Sequence, residues 1–241
     1  LNDSVKDLSR RWEDLLGACK HRISLLDGVK EFQDTAGNFM NWLTAKEKMM
    51  GVLGPIASDA RVVNTQLQQV QVLRDEFNAQ YPQLQNLNTL GEDILQSPEL
   101  SSSDAAMITD KLNAINQKWD QLLGQLDDRQ AKLNAAMSAT KDFNALLNQL
   151  QDNLQKVSDD FDSLGPVGRD PSSQIRTLEK LENDLDRLRP HVAEVTVLGE
   201  NLCDILPDPS ERNNVKNSLA AVGKAFNSLQ KKLGNRRAEL E

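Results

Sequence analysis

Aromatic residues make up only 4% of this 241-residue chain, with a single Tyr among them. Sheets draw on aromatic and β-branched side chains, so this scarcity, beside abundant Leu, Gln, Asn, Asp and Lys, points to solvated helices. Cysteine is almost missing. Cys19 and Cys203 stand far apart, which excludes a secreted disulfide framework and fits a reducing cytosol. His21 and His191 have no cysteine or paired carboxylate at ligand spacing, so no metal is expected. No run approaches the roughly 20 apolar residues that cross a bilayer, and no charged-then-apolar leader opens the chain. The chain begins with Leu rather than Met, and the expectation is a piece of something longer. Positive charge is in deficit: 28 basic against 36 acidic residues give −8. Nucleic acid is therefore not an expected partner, and membrane contact is disfavoured. Nucleophile elbow, P-loop, HExxH and EF-hand loop are all missing, so neither catalysis nor a cofactor is expected. Asp59, Asp127-Asp128 and Asp159-Asp160 read as helix caps and solvated faces rather than acid/base pairs.

What the chain does have is repetition. The stretches at 11–26, 118–133 and 225–240 share one skeleton, with Trp12, Trp119 and Phe226 recurring at a constant interval. Ile108, Leu112, Ile115, Trp119, Leu122, Leu126, Arg129 and Leu133 are spaced alternately four and three apart. That is an a/d heptad stripe, the seam of helices packed nearly parallel. Shifting back by the tryptophan interval gives Leu1, Val5, Leu8, Trp12, Leu15, Cys19, Arg22 and Leu26. Shifting forward by it gives Val215, Leu219, Val222, Phe226, Leu229, Leu233, Arg236 and Leu240. A second stripe, from Val29, Phe32, Ala36, Phe39 and Leu43 to Lys46 and Met50, recurs at a longer interval from Thr140 and Phe143 to Phe161. A third, Val70, Leu73, Phe77, Leu84, Leu87 and Leu90, recurs from Leu178 to Leu198 at an interval between those two.

Loop signals fall where these offsets change. Gly54-Pro55 and Gly165-Pro166 end the first helix of each unit. Ser58-Asp59 and Asp170 are placed to cap the second, with Pro171 at a permissive first position. Pro98 with Ser101 to Asp104, and Pro207 to Ser210, separate the second helix from the third. No Gly/Pro cluster lies between Gly124 and Gly165, so the third helix is expected to run unbroken into the next unit. Each unit is three helices, A, B and C, of roughly 25 to 35 residues or about 37 to 52 Å. One stripe cannot be buried alone, so three helices must close on a shared core.

Several positions stand out within this frame. Arg22, Arg129 and Arg236 put a charge on the helix C seam, where the stem is expected to pack and the head to reach solvent or a carboxylate near the junction. Pro82 and Pro190 fall at matching places in helix B, where an interior proline predicts a kink or break. The loop from Gly51 to Ala60 is mildly apolar and placed to touch a neighbouring unit. Lys231-Lys232 with Arg236-Arg237 form a basic cluster that suits a helix C-terminus and, as the lesser reading, an acidic partner. The junction around Arg129, Leu133, Met137 and Thr140 carries four more residues than the first: Leu133 to Phe143 spans ten, Leu26 to Phe32 six. Four helical residues add about 6 Å and roughly 40° beyond a full turn, which is expected to set rod twist or bend.

Together these residues resemble tandem spectrin repeats. Phe32 through Trp42 and Leu43 resembles the helix A signature, and Trp12 and Trp119 the helix C tryptophan. The resemblance implies an all-α fold of left-handed three-helix coiled-coil bundles joined by continuous helical linkers into an elongated rod. Residues 1–27 would be the end of a preceding helix C, 28–135 a first complete repeat and 136–241 a second. Trp12, Phe32, Trp42, Trp119, Phe143 and Phe226 would be core aromatics. The second repeat has Asn153 for Trp42 and Phe226 for Trp119, so its core is expected to be less tightly specified. The low charge density and Asn/Gln-rich faces look more like a spectraplakin or dystrophin-like linker than spectrin itself. The resemblance implies a structural spacer in a cytoplasmic, cytoskeleton-associated protein, its partners neighbouring repeats and cytoskeletal or adaptor proteins. The alternatives are a docking platform at the inter-repeat junction and, more remotely, a membrane-binding helical dimer of the BAR type.

Overall fold

The computed structural model describes residues 2–167 and 171–240, the side chains of residues 2 and 3 excepted. Leu1 of the first stripe and the cap assigned to Asp170 lie outside the described residues. The chain is all-α: α1 (Asn2–Gly51), α2 (Ala60–Leu95), α3 (Ser102–Asp162), α4 (Pro171–Ile205) and α5 (Pro209–Leu240), with no strand among the described residues. Neither long helix is interrupted. α1 runs for 50 residues and α3 for 61.

Local chemistry accounts for the boundaries. Asp59 Oδ1 accepts from the backbone N–H groups of Arg61 at 2.7 Å and Val62 at 3.3 Å, capping α2. Ser101 Oγ accepts from Asp104 N at 3.0 Å to start α3, and Asp208 Oδ1 accepts from Ser210 N at 3.0 Å to start α5. At the end of α3 the chain turns at Gly165, whose φ of +64° favours a residue without Cβ. The first unit manages the corresponding turn differently, since α1 stops at Gly51, ahead of Gly54.

The chain divides into two compact units. One holds Leu1–Leu53 and Val70–Asp128, the other Gly54–Gln69 and Arg129–Glu241. Within the first, Phe32, Leu43, Phe77, Leu87, Ile108, Ile115 and Leu122 are fully enclosed; within the second, Leu150, Leu178, Leu181, Leu202 and Leu233 are. From Val29 onward the heptad stripes thus supply the buried faces.

Both units contain one close helix approach. A Cβ built on Gly91 of α2 would lie 2.7 Å from Leu112 Cδ1 and 3.0 Å from Phe32 Cε2. At Gly199 of α4 it would lie 2.7 Å from Leu219 Cδ1 and 3.1 Å from Phe143 Cε2. The missing side chain lets the phenylalanine of one helix and the leucine of another nest against helix B.

Pro82 and Pro190 each lie inside a helix that continues past them, so of the kink or break expected there the break does not occur. Buried residues on both sides, Phe77 and Leu84 around one and Leu188 and Val195 around the other, hold the flanking turns in place. Trp12 is 60% exposed, in line with Val5, Leu8, Leu15, Ile23 and Leu26, where no other described helix covers this end of the α1 stripe.

Candidate functional site

The seam arginines mark the most regular polar feature of the molecule. Arg129 Nη2 donates to the Gly54 carbonyl at 2.6 Å, and Arg236 Nη1 donates to the Gly165 carbonyl at 2.5 Å. Each arginine therefore spans from helix C to the Gly-Pro loop between helices A and B. A glutamine on helix B completes the fastening. Gln66 Nε2 donates to the Pro55 carbonyl at 2.6 Å, and Gln174 Nε2 to the Pro166 carbonyl at 3.0 Å. These carbonyls follow helix ends and would otherwise lack partners. Arg22 differs: it is exposed, and its Nη1 reaches the Glu99 carbonyl at 3.5 Å.

The two fastened arginines differ in surroundings. Arg236 Nε also meets Glu239 at 3.1 Å, and its guanidinium lies 5.4 Å from the Phe161 ring centroid. At the place equivalent to Glu239, downstream of Arg129, stands Lys132 instead of a carboxylate. Arg129 Nε is buried without a hydrogen-bond partner, and burial pulls the Arg129 guanidinium below its ordinary pKa. Downstream on α3, Leu133 and Thr140 are fully enclosed and Met137 is half-buried. The Thr140 hydroxyl has no partner either.

The first unit centres on an aromatic cluster. Trp119 lies 4.9 Å from Phe77, 5.9 Å from Phe39, 6.2 Å from Trp42 and 6.2 Å from Tyr81, centroid to centroid. Phe32 is enclosed, while Trp42 is half-buried with Lys46 Nζ 5.6 Å from its ring. The equivalent positions in the second unit are Leu150, Asn153, Leu185, Arg189 and Phe226. Arg189 takes the place of Tyr81 and sits 5.4 Å from the Phe226 ring centroid, a cation–π contact in place of a ring pair. Phe143 and Phe226 are both buried. Asn88 and Asn116 exchange amide hydrogen bonds at 3.1 and 2.8 Å in the first unit; Thr196 and Gly223 replace them in the second.

Ion pairs tie helix to helix. Lys46 Nζ meets Glu76 at 2.7 Å and Lys118 Nζ meets Glu47 at 2.6 Å. Between helices B and C the two units use opposite signs. Arg74 pairs with Asp127, whereas the position equivalent to Arg74 is Glu182, which pairs with Arg237 at 2.5 Å. In the unit that holds Gly54–Gln69, Ser58 N donates to Glu211 Oε2 at 2.9 Å, and the Ser58 hydroxyl bonds the same oxygen. Ile56 and Ala57 are buried beside Ser58.

Cys203 is buried, and burial raises its thiol pKa; Cys19 is exposed. His191 Nδ1 is buried without a partner. No three His, Cys, Asp or Glu residues gather among the described residues, and no described helix is long and apolar enough to cross a membrane. The geometry is suited to holding helices in register. Gln66, Gln174, Gly91 and Gly199 were missed from sequence, although each pair keeps the same offset as the helix B stripe.

Comparison with known proteins gives the same reading. The spectrin repeat family model matches residues 27–135. Human microtubule-actin cross-linking factor 1 is 27% identical over 232 residues, covering 93% of this chain and 3% of that protein. Drosophila melanogaster spectrin beta chain is 25% identical over 232 residues, 93% of this chain and 10% of its own length. Rat utrophin is 24% identical over 241 residues, 95% of this chain and 7% of its own. The chain thus spans a small fraction of each relative.

Proposed function

We propose, with residues 27–135 of this chain being a spectrin repeat, that the chain is a rod or spacer segment of a longer cytoskeletal cross-linking protein. Its setting is cytoplasmic and cytoskeleton-associated, and its first partners are neighbouring repeats. The repeats are bounded at 28–135 and 136–241. The observation that carries this reading is the unbroken course of α3 from Ser102 to Asp162. A helix shared by consecutive bundles transmits bending and torque, because it has no loop at which the strain can relax. Phe32, Trp42, Trp119, Phe143 and Phe226 serve as core anchors, and Arg129, Leu133, Met137 and Thr140 as the junction.

Small-angle X-ray scattering tests the reading directly. Two bundles in series, each about 50 Å long, give a maximum dimension of about 100 Å or more. A compact particle of roughly half that length refutes the spacer.

A further inference from the structure

The second unit lacks a bridge that the first one has. Lys118 on α3 reaches Glu47 on α1 at 2.6 Å and closes the seam between helices A and C. The equivalent positions in the second unit are Ala225 and Ser158, which cannot form an ion pair. There a groove of about 300 Å³ runs along α3 and α5. Its floor is the buried side chains of Leu154, Val222 and Leu229.

The lips of this groove carry opposite charge. At about 100° per residue, the exposed Asp152 and Asp159 fall on the solvent side of the α3 edge formed by Gln151, Gln155 and Ser158. Lys224 and Lys231, also exposed, fall on the solvent side of the α5 edge formed by Ala221, Ala225 and Ser228. Neither lysine forms an ion pair among the described residues. α5 as a whole has seven basic and two acidic residues, in a chain whose net charge is −8.

We propose that this groove docks an amphipathic helix of a partner protein, a fourth helix laid along α3 and α5. The partner helix carries small apolar side chains toward the floor, carboxylates on the flank over Lys224 and Lys231, and cations on the flank over Asp152 and Asp159. Helices pack at interaxial distances of about 8–10 Å, and Ser158, Ala225 and Ser228 are short enough to admit that approach. The opposed lips select the partner, because a helix of uniform charge meets repulsion along one of them. A second copy presenting its own α5 sets lysine against lysine, which disfavours α5 as the occupant and favours a partner helix with one acidic and one basic flank.

Fluorescence anisotropy with the whole chain tests the assignment. The probes are synthetic helical peptides of about 21 residues, three heptads, sharing an Ala/Leu seam. One carries Glu on one flank and Lys on the other; two controls carry Lys on both or Glu on both. The mixed peptide is expected to bind, and each uniform peptide to bind about tenfold more weakly or worse. The S158E/A225K double variant transplants the bridge of the first unit. It is expected to weaken the mixed peptide about tenfold or more, with thermal stability equal to or above the parent. Failure of the mixed peptide to bind, equal binding of all three, or undiminished binding to S158E/A225K overturns the proposal. Self-association in sedimentation that S158E/A225K abolishes also overturns it, by giving the groove to a second copy.

Discussion

Adding a methyl group to helix B should have opposite effects from adding one to helix C, and the difference tests the packing of the first unit. In Gly91→Ala the new Cβ sits 2.7 Å from Leu112 Cδ1 and 3.0 Å from Phe32 Cε2. Carbon atoms rest at about 3.5–4.0 Å, so something must move by up to about 1 Å. The Leu112 tip can rotate, but Phe32 is enclosed on every side and cannot retreat. Overpacking of this kind costs about 1–3 kcal/mol. Alanine recovers about 0.8–1.0 kcal/mol of helix propensity, which leaves a net destabilisation of about 0–2 kcal/mol. In Gly124→Ala no atom lies within 4 Å of the new Cβ. Only the propensity gain remains there, so that variant should be more stable than the parent by up to about 1 kcal/mol. Urea denaturation followed by tryptophan fluorescence reads both, since Trp42 and Trp119 belong to the same compact unit as Gly91 and Gly124. Truncating the obstructing leucine supplies an internal control. Gly91→Ala should cost less in a Leu112→Ala background than in the parent, a coupling of the sign expected for neighbours. If Gly91→Ala raises the midpoint as much as Gly124→Ala does, the nesting of Phe32 and Leu112 against helix B is not a constraint.

Three further outcomes follow from the polar contacts. Two backbone N–H groups hold the Asp59 carboxyl below its ordinary pKa of 3.8. Its contribution is present above 3.8 and is lost as pH falls through the lowered folded-state value. The stability advantage of the parent over Asp59→Asn at neutral pH should therefore vanish in acid denaturation series, and an advantage unchanged by acid would contradict the cap. Thr140→Val removes a buried hydroxyl that has no partner, and should stabilise by about 1 kcal/mol; a lower melting temperature would show that the hydroxyl is satisfied. Glu182→Arg sets a cation against Arg237 and should destabilise, while adding Arg237→Asp restores part of the loss. The coupling expected in a double-mutant cycle is about 0.5–1 kcal/mol, and strict additivity would deny the pair.

Periodicity carried most of the fold. Stripes alternating by three and four residues, and shared offsets between copies, were enough to place the helices and the unbroken α3. The features that escaped share a physical cause. The head of Arg129 was expected to meet solvent or a carboxylate, and it meets the Gly54 carbonyl instead. Every residue has a carbonyl, so no residue type announces that partner. Gly91 and Gly199 are invisible to a hydrophobic pattern because their role is the absence of a side chain.

The reversed pairs between helices B and C bear on how such a chain finds its fold. Two neighbouring bundles with the same heptad seam offer each other nearly interchangeable helices, and tandem domains are prone to misassembly for that reason. The two helix C partners stand one turn apart in register, Asp127 matching Gly234 and Arg237 matching Gln130. An exchanged α4 would thus bring Glu182 within about a turn of Asp127, and an exchanged α2 would bring Arg74 within about a turn of Arg237. Both exchanges bring like charges together. Each bundle thus carries between its helices B and C a polarity that the other inverts, which disfavours a trade of middle helices between neighbours that share one heptad seam.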